Sequence, residues 1–489
     1  MIRSFRSDQR LLRALIWVAV FAAIGVALVI LYPDADQQDS GYHYLFARWA
    51  HRHPQYFVSV WARPLFTLLY FSPAQFGYAA TKLFTVVISL ATAWQTFRLA
   101  RQIHFDRAEL AIPLLFLQPS FFLLCSIVLT ETLFALLFVV ALRLHLSGRI
   151  KVGMIVASLL ILVRPEGFFI GALWGLWVLF VVPLSGGMSW LTSRTRLKAG
   201  LQTLLLASGM ILWWVAAYLI TGDPLWIVHD WPPDWRPEGG ANGAGPIWKY
   251  VSLAPLIVGP LLLAPFIVGL RRLLKKRGFM TGVSAFLVLF VAHSLMFWHG
   301  WFGSAGYARY LVCVAPAIAL ITLAGWNDLA DRQAKFFNLS RNSIASTVLA
   351  LSALVCLLYV DSWRFTRDAR AVEEMVEWFR AHPSPVSRLI CSQAYMRIVF
   401  DRDQWEKPAF TNDREINLSL IRQSPRQTLI FWDEDTGPKW YGLRSGDFEA
   451  AGYARLKTQE FKLPGWFLRL PWDRFGGPRI QQMSFYYKE

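Results

Sequence analysis

The residues whose types could do chemistry in this chain are few and far apart: Asp39, Glu131, Arg164, Glu166, His229, Arg309 and Tyr310. Asp39 stands in the stretch PDADQQDSGYHYLFA, residues 33–47, directly after the first apolar run, with Tyr42 close behind it. Glu131 separates two apolar runs, Arg164-Pro165-Glu166-Gly167 interrupts a third, and Arg309-Tyr310 opens a late one. Arginine offers a permanently charged fork that matches phosphate oxygens. A carboxylate can take a proton from a hydroxyl or hold a divalent cation. Two acids and two arginines in one half-buried pocket suit displacement of a lipid-linked phosphate by an alcohol. One acid would activate the incoming hydroxyl, and the arginines would stabilise charge on the departing phosphate.

Such a pocket exists only if distant segments meet, so the elements that carry these residues decide the matter. The chain has 489 residues, 55% hydrophobic, with 23 Trp and a mean hydropathy of +0.38. Roughly ten runs reach the about twenty apolar residues that cross a bilayer, and Trp is favoured at headgroup level. This is a multi-pass membrane protein, in contact with membrane lipids. The formal charge of +17 does not indicate nucleic acid, because the basic residues sit in short clusters between apolar runs, as the positive-inside rule produces. Cys125, Cys313, Cys356 and Cys391 form no metal or disulfide pattern.

Arg3, Arg6, Arg10 and Arg13 place the N-terminus in the cytoplasm, and residues 11–32 form the first span. Residues 33–75 are then external. Tyr42, Leu45, Phe46 and Trp49 recur at helical spacing, and Phe57 to Phe71 is aromatic, which predicts two interfacial helices. Asp34 and Asp36 read as solvated, Asp39 as held at the membrane surface. Spans follow at 76–97, 110–129 and 130–142, putting Glu131 at an external end. An ionisable residue there is a functional candidate by default. The run 152–184 must be two spans, because Arg164 and Glu166 at the bilayer centre would be costly and Pro165-Gly167 breaks a helix. The first of the two is short, so this turn should sit in a depression; mutual pairing of Arg164 and Glu166 is the plainer alternative.

Arg194, Arg196 and Lys198 mark the next inner loop, followed by a span at 201–220. His229, Asp230 and Asp234 then fall in an outer segment rich in Pro, Gly and Trp, where exposure is the leading expectation for each and His229 is kept as a pocket candidate. A span ending in the cluster Arg271 to Arg277, another reaching Trp298, one from Arg309 to about Ala324 and one at 344–360 complete eleven spans, with the C-terminus outside. Residues 1–360 thus form a transmembrane domain. Residues 361–489 read as a small extracytoplasmic α/β domain, with an amphipathic helix at 371–381 and strands at 388–392, 428–432, 454–456 and 466–470. Asp433-Glu434-Asp435 has the look of a metal-ligand run, but a solvated turn is the favoured reading.

The combination resembles the GT-C superfamily of membrane glycosyltransferases, which includes protein O-mannosyltransferases, aminoarabinose transferases acting on lipid A, and GPI mannosyltransferases. Asp39-Ser40-Gly41-Tyr42 resembles the family's acidic first-loop element, with Ser40 where a second acid is usual. Thr130-Glu131, Arg164-Pro165-Glu166-Gly167 and Gly306-Tyr307-Ala308-Arg309-Tyr310 resemble its later acid, its Arg-Pro-x-Gly turn and its Arg-Tyr element. The resemblance implies a polyprenyl-phosphate sugar donor, a lipid, glycan or protein acceptor, and an inverting transfer at the outer face of the plasma (inner) membrane. It implies Asp39 as general base and Glu131 as its assistant, with Asp39 and Glu131 also the candidates to hold Mg or Mn. Arg309, Arg164 and Tyr310 would bind the donor phosphate, and Tyr42, Glu166 and His229 would line the pocket. A flippase or transporter of lipid-linked saccharides would want charges deep in spans and an internal repeat, neither of which the sequence displays. A non-catalytic scaffold leaves the acids and arginines without a task.

Overall fold

The computed structural model describes residues 2–32, 38–181, 200–232, 235, 244–276, 279–337, 340–365, 368–391, 393–403, 410–411, 413–435, 437–463 and 479–489. Asp34, Asp36, Arg194, Arg196, Lys198, Asp234, Arg277 and the strand expected at 466–470 lie outside them. The chain forms two compact units, Met1–Leu31 with Pro54–Leu357, and Tyr32–His53 with Leu358–Glu489. The division drawn from sequence at 360/361 assigns the first-loop helix to the membrane region; in the structure this helix belongs to the unit that contains the C-terminal sheet.

The first unit is helical. Six helices among the described residues are long and apolar enough to cross a membrane: Gln9–Leu31, Tyr78–Gln102, Gly200–Thr221, Met280–His299, Ala308–Leu329 and Ser343–Val360. Ile150–Leu162 and Gly167–Leu179 are shorter apolar helices. Several of the expected spans are broken, for reasons visible in the sequence. The helices here are α1 (Ile2–Leu31), α2 (Gln38–Trp49, in the second unit), α3 (Pro64–Gln75), α4 (Tyr78–Gln102), α5 (Ala111–Phe116), α6 (Pro119–Leu124) and α7 (Thr130–Leu146). Gln118 is extended and Pro119 begins α6, so the run 110–129 is two short helices instead of one. Pro119 lacks the N–H that a continuous helix would need. Extended Leu129 then resets the chain, and α7 starts at Thr130.

The packing of the first unit is close. α4 and α7 lie side by side with α5, and α7 packs against α8 (Ile150–Ser158). Gly167 opens α9 (Gly167–Leu176) at a point where a Cβ would fall 2.4 Å from the backbone nitrogen of Ile161. No other residue fits that approach without displacing backbone, which explains the glycine of the Arg-Pro-Glu-Gly turn: the chain doubles back on itself there.

In the second unit four strands order β1-β2-β4-β3: β1 (Arg388–Cys391), β2 (Thr428–Asp433), β3 (Ala454–Leu463) and β4 (Arg479–Lys488). β1 and β2 are parallel, while β4 runs antiparallel to both β2 and β3. Successive side chains face opposite sides. Leu429, Phe431, Phe485 and Tyr487 join one core with the helix Asp368–Ala381. Ile430, Trp432 and Tyr486 join another with Leu418, Ile421 and Phe448. The result is a sheet covered on both faces, which accounts for the unbroken burial of β2.

Candidate active site

Glu131 occupies the first turn of α7, where the free N–H groups and the helix dipole favour a carboxylate. It is fully buried. Its Oε1 lies 2.9 Å from Nη1 of Arg164 and 3.6 Å from Nε of Arg309. Arg164 also donates to Thr130 Oγ1 at 2.9 Å and, through Nη2, to Glu166 Oε1 at 2.7 Å. His293, on the helix Met280–His299, places Nε2 3.6 Å from the same Glu166 oxygen. Tyr310 caps the group. The guanidinium carbons of Arg164 and Arg309 lie 5.5 and 5.8 Å from its ring centroid, and the His293 ring stacks on it at 5.0 Å. Tyr307 holds Arg309 from another side, 5.0 Å from ring to guanidinium.

The structure joins Glu131, Arg164, Glu166, Arg309 and Tyr310 into one cluster within the first unit. The short pairing of Arg164 with Glu166 is realised too, as one link of a larger network. Two guanidinium groups face two carboxylates in surroundings that exclude water, where charge interactions are strong and unsatisfied groups are costly. Both ring nitrogens of His293, Nε of Arg164 and Oε2 of Glu131 are buried and make no hydrogen bond with the described residues. Such orphaned buried groups concentrate where a ligand, water or reacting atom completes the site.

Asp39 is in the first turn of α2, half-buried, in the second unit. Tyr42 is one turn further on, near Arg397, Tyr441 and Cys391 of that unit; burial pushes its phenol up, partly offset by Arg397. His229 is not in the buried cluster. Its ring is 60% exposed and its Nδ1 is 2.7 Å from Asp223 Oδ2, a hydrogen bond that, with one from the Leu225 N–H, pulls the Asp223 carboxyl down. Asp230 accepts from the Val60 N–H at 2.6 Å, and burial pushes its carboxyl up. Trp213 donates to Val58 O at 2.8 Å, and the Arg63 guanidinium lies 4.5 Å from the Trp235 ring centroid. The Asp230 and Trp235 contacts tie the Trp-rich loop, and Trp213 the helix before it, to residues 58–63 of the first outer segment.

Asp433 is not part of a solvated turn. It is buried and takes Gln481 Nε2 and the Asp435 N–H, while Glu434 accepts from Ser445, Ser484 and Tyr486. These carboxylates close off the end of β2. Among the described residues no group of three or more His, Cys, Asp or Glu could hold a metal ion. Glu131 faces two guanidinium groups, a setting that fits arginine and does not fit a divalent cation, so no step below passes through a metal.

Sequence reasoning passed over Lys82, His293 and Tyr250. Lys82 is fully buried in α4 with its ammonium 5.7 Å from the Tyr78 ring. A lysine inside an apolar run was a legible signal; it was absorbed into the expected span 76–97. His293 was legible in the same way. Tyr250, fully buried with its ring 5.8 Å from that of His293, carried no signal.

No protein-family model matches the chain, and no curated protein matches it. Solved structures do. The crystal structure of ArnT from Cupriavidus metallidurans bound to undecaprenyl phosphate superposes with a TM-score of 0.59 at 12% identity, covering 96% of this chain and 98% of that one. The apo structure of the same protein gives a TM-score of 0.60 at the same identity and coverage. The chain thus shares the fold of these ArnT structures over nearly its whole length.

Proposed function

We propose that this GT-C-fold chain is a membrane glycosyltransferase that moves one sugar from a polyprenyl-phosphate carrier to an acceptor hydroxyl on the extracytoplasmic face. The observation that carries the reading is the buried cluster of Glu131, Arg164, Glu166 and Arg309. A fold shared with a protein crystallised with undecaprenyl phosphate supports the choice of donor. In the reaction Asp39 takes the acceptor's proton as its oxygen attacks the anomeric carbon. The bond from that carbon to the phosphate oxygen breaks, inverting the centre and leaving polyprenyl phosphate. Arg309, with Nε 3.6 Å from Glu131, meets the phosphate charge. Arg164, engaged by Glu131, Thr130 and Glu166, orients the pair, and Glu131 holds both guanidinium groups in place.

The orientation follows the basic loops. Arg10 with Asp106 and Arg13 with Glu109 tie the start of α1 to the loop after α4, both read as cytoplasmic. Reading the broken passes as spans beside the six long helices supports a count of eleven, which would put the C-terminal unit outside. The test is incubation of the purified protein with a panel of polyprenyl-phosphate sugars and an acceptor extract. One donor should yield free lipid phosphate in step with product. Asp39→Asn should cut the rate by about 10²- to 10⁴-fold, the usual worth of a general base, while donor binding persists. Movement of intact lipid-linked sugar between leaflets without cleavage would favour a flippase instead.

A further inference from the structure

The helix that carries Asp39 is gripped by the C-terminal unit. Gly41 lies two residues after Asp39, in the interior of α2, a poor place for glycine on helix propensity alone. Its backbone meets the helix Ala394–Val399 so closely that a Cβ on Gly41 would fall 2.6 Å from the Ala394 Cβ. At the other end of α2, the N–H groups of Arg52 and His53 both bond to Trp49 O, fixing His53 to the helix terminus. His53 Nε2 then lies 2.7 Å from Oδ2 of Asp403, which is buried. Arg48 lies 3.6 Å from Asp401 between these two points. All of these residues belong to the second unit.

We propose that the segment Ala394–Asp403 is a clamp that sets the position of Asp39, with Gly41, His53 and Asp403 as positioning residues for the transfer step. The proposal rests on Asp39 being the base. A general base must reach its proton within hydrogen-bond distance, and a misplacement of about 1 Å from a remote change can cost about 100-fold in rate. A methyl group at Gly41 would force a shift of that size, because non-bonded carbons settle at about 3.5–4.0 Å.

The test uses the full-length protein in lipid nanodiscs. Gly41→Ala should lower kcat by roughly 10- to 100-fold while the KM for the polyprenyl-phosphate donor changes less than about twofold. Adding Ala394→Gly removes the facing methyl and should restore kcat to within about threefold. Asp403→Ala should lower kcat in the same way. Amide hydrogen exchange over residues 42–49 should quicken in Gly41→Ala and Asp403→Ala and return to normal in Gly41→Ala/Ala394→Gly. Equal kcat and equal exchange in Gly41→Ala and wild type would overturn the clamp, as would a Gly41→Ala defect that Ala394→Gly leaves unrepaired. Wild-type protein with no transfer would instead remove the catalytic reading, with the exchange arm still testing the grip on α2.

Discussion

The two ends of the transmembrane unit carry charge in opposite ways. Around the start of α1, Arg10 and Asp106 are 4.0 Å apart with side chains 44% and 86% exposed, and Arg272 pairs with Asp328, both more than a third exposed. At the far end of the same bundle, Glu131, Arg164, Glu166 and His293 are buried. The ends are about 27 Å apart along the helix that follows Tyr310 and carries Asp328, counting 1.5 Å per residue, close to the about 30 Å of a hydrocarbon core. Exposed pairs contribute about 0–1 kcal/mol. Buried ions each cost several kcal/mol before pairing, so a linked network of them is poorly explained by stability, whereas at the other end buried Glu109 lies beside the exposed Arg13. The contrast separates an end whose ion pairs are mostly exposed from one whose charges are buried and linked to one another.

Breaking the buried end should have the largest effect. Arg164→Ala leaves Glu131 and Glu166 without their shared partner and should destabilise the protein by about 3–5 kcal/mol, read as a fall in thermal midpoint in detergent together with loss of transfer. At the exposed end, Arg272→Ala should cost less than about 1 kcal/mol and leave transfer within about twofold of wild type. A loss at Arg272 matching that at Arg164 would erase the distinction. The smallest effect is expected outside both ends, at Asp230. Burial raises its carboxyl in the folded state, so its contribution is fully present below the unfolded pKa and is lost as pH rises through the folded one. Asp230→Asn keeps an acceptor for the Val60 N–H and should flatten that part of the stability profile, leaving the variant at least as stable as wild type at neutral pH.

Much of the charged cluster was legible because charges inside apolar runs are rare and costly. Arg164 and Glu166 could be found by that rule, and Pro165-Gly167 marked the turn that brings them round, while Arg309 was found through the Arg-Tyr element that opens a late run. The eleven-span reading was less visible in the helices themselves, since extended Gln118 with Pro119 splits one run into α5 and α6. β2 is an apolar run buried on both faces and was read directly. β3 runs on to Leu463 as an edge strand with Lys457, Glu460 and Lys462; charge on an edge strand guards against further pairing and hides the strand from a hydrophobic reading. β4, RIQQMSFYYK, was missed because its apolar residues serve both cores. The attachment of α2 to Ala394–Val399 joins segments some 350 residues apart, as the His53 and Asp403 pair does. No local pattern announces such a contact.

The affinity of the purified protein for undecaprenyl phosphate tests most directly the proposal that the buried end binds the donor phosphate. Arg309→Ala should weaken it by about tenfold or more, as loss of a charge-assisted bond of about 1.5–3 kcal/mol implies, while Arg272→Ala leaves it unchanged. Equal affinity in wild type and Arg309→Ala would contradict the assignment.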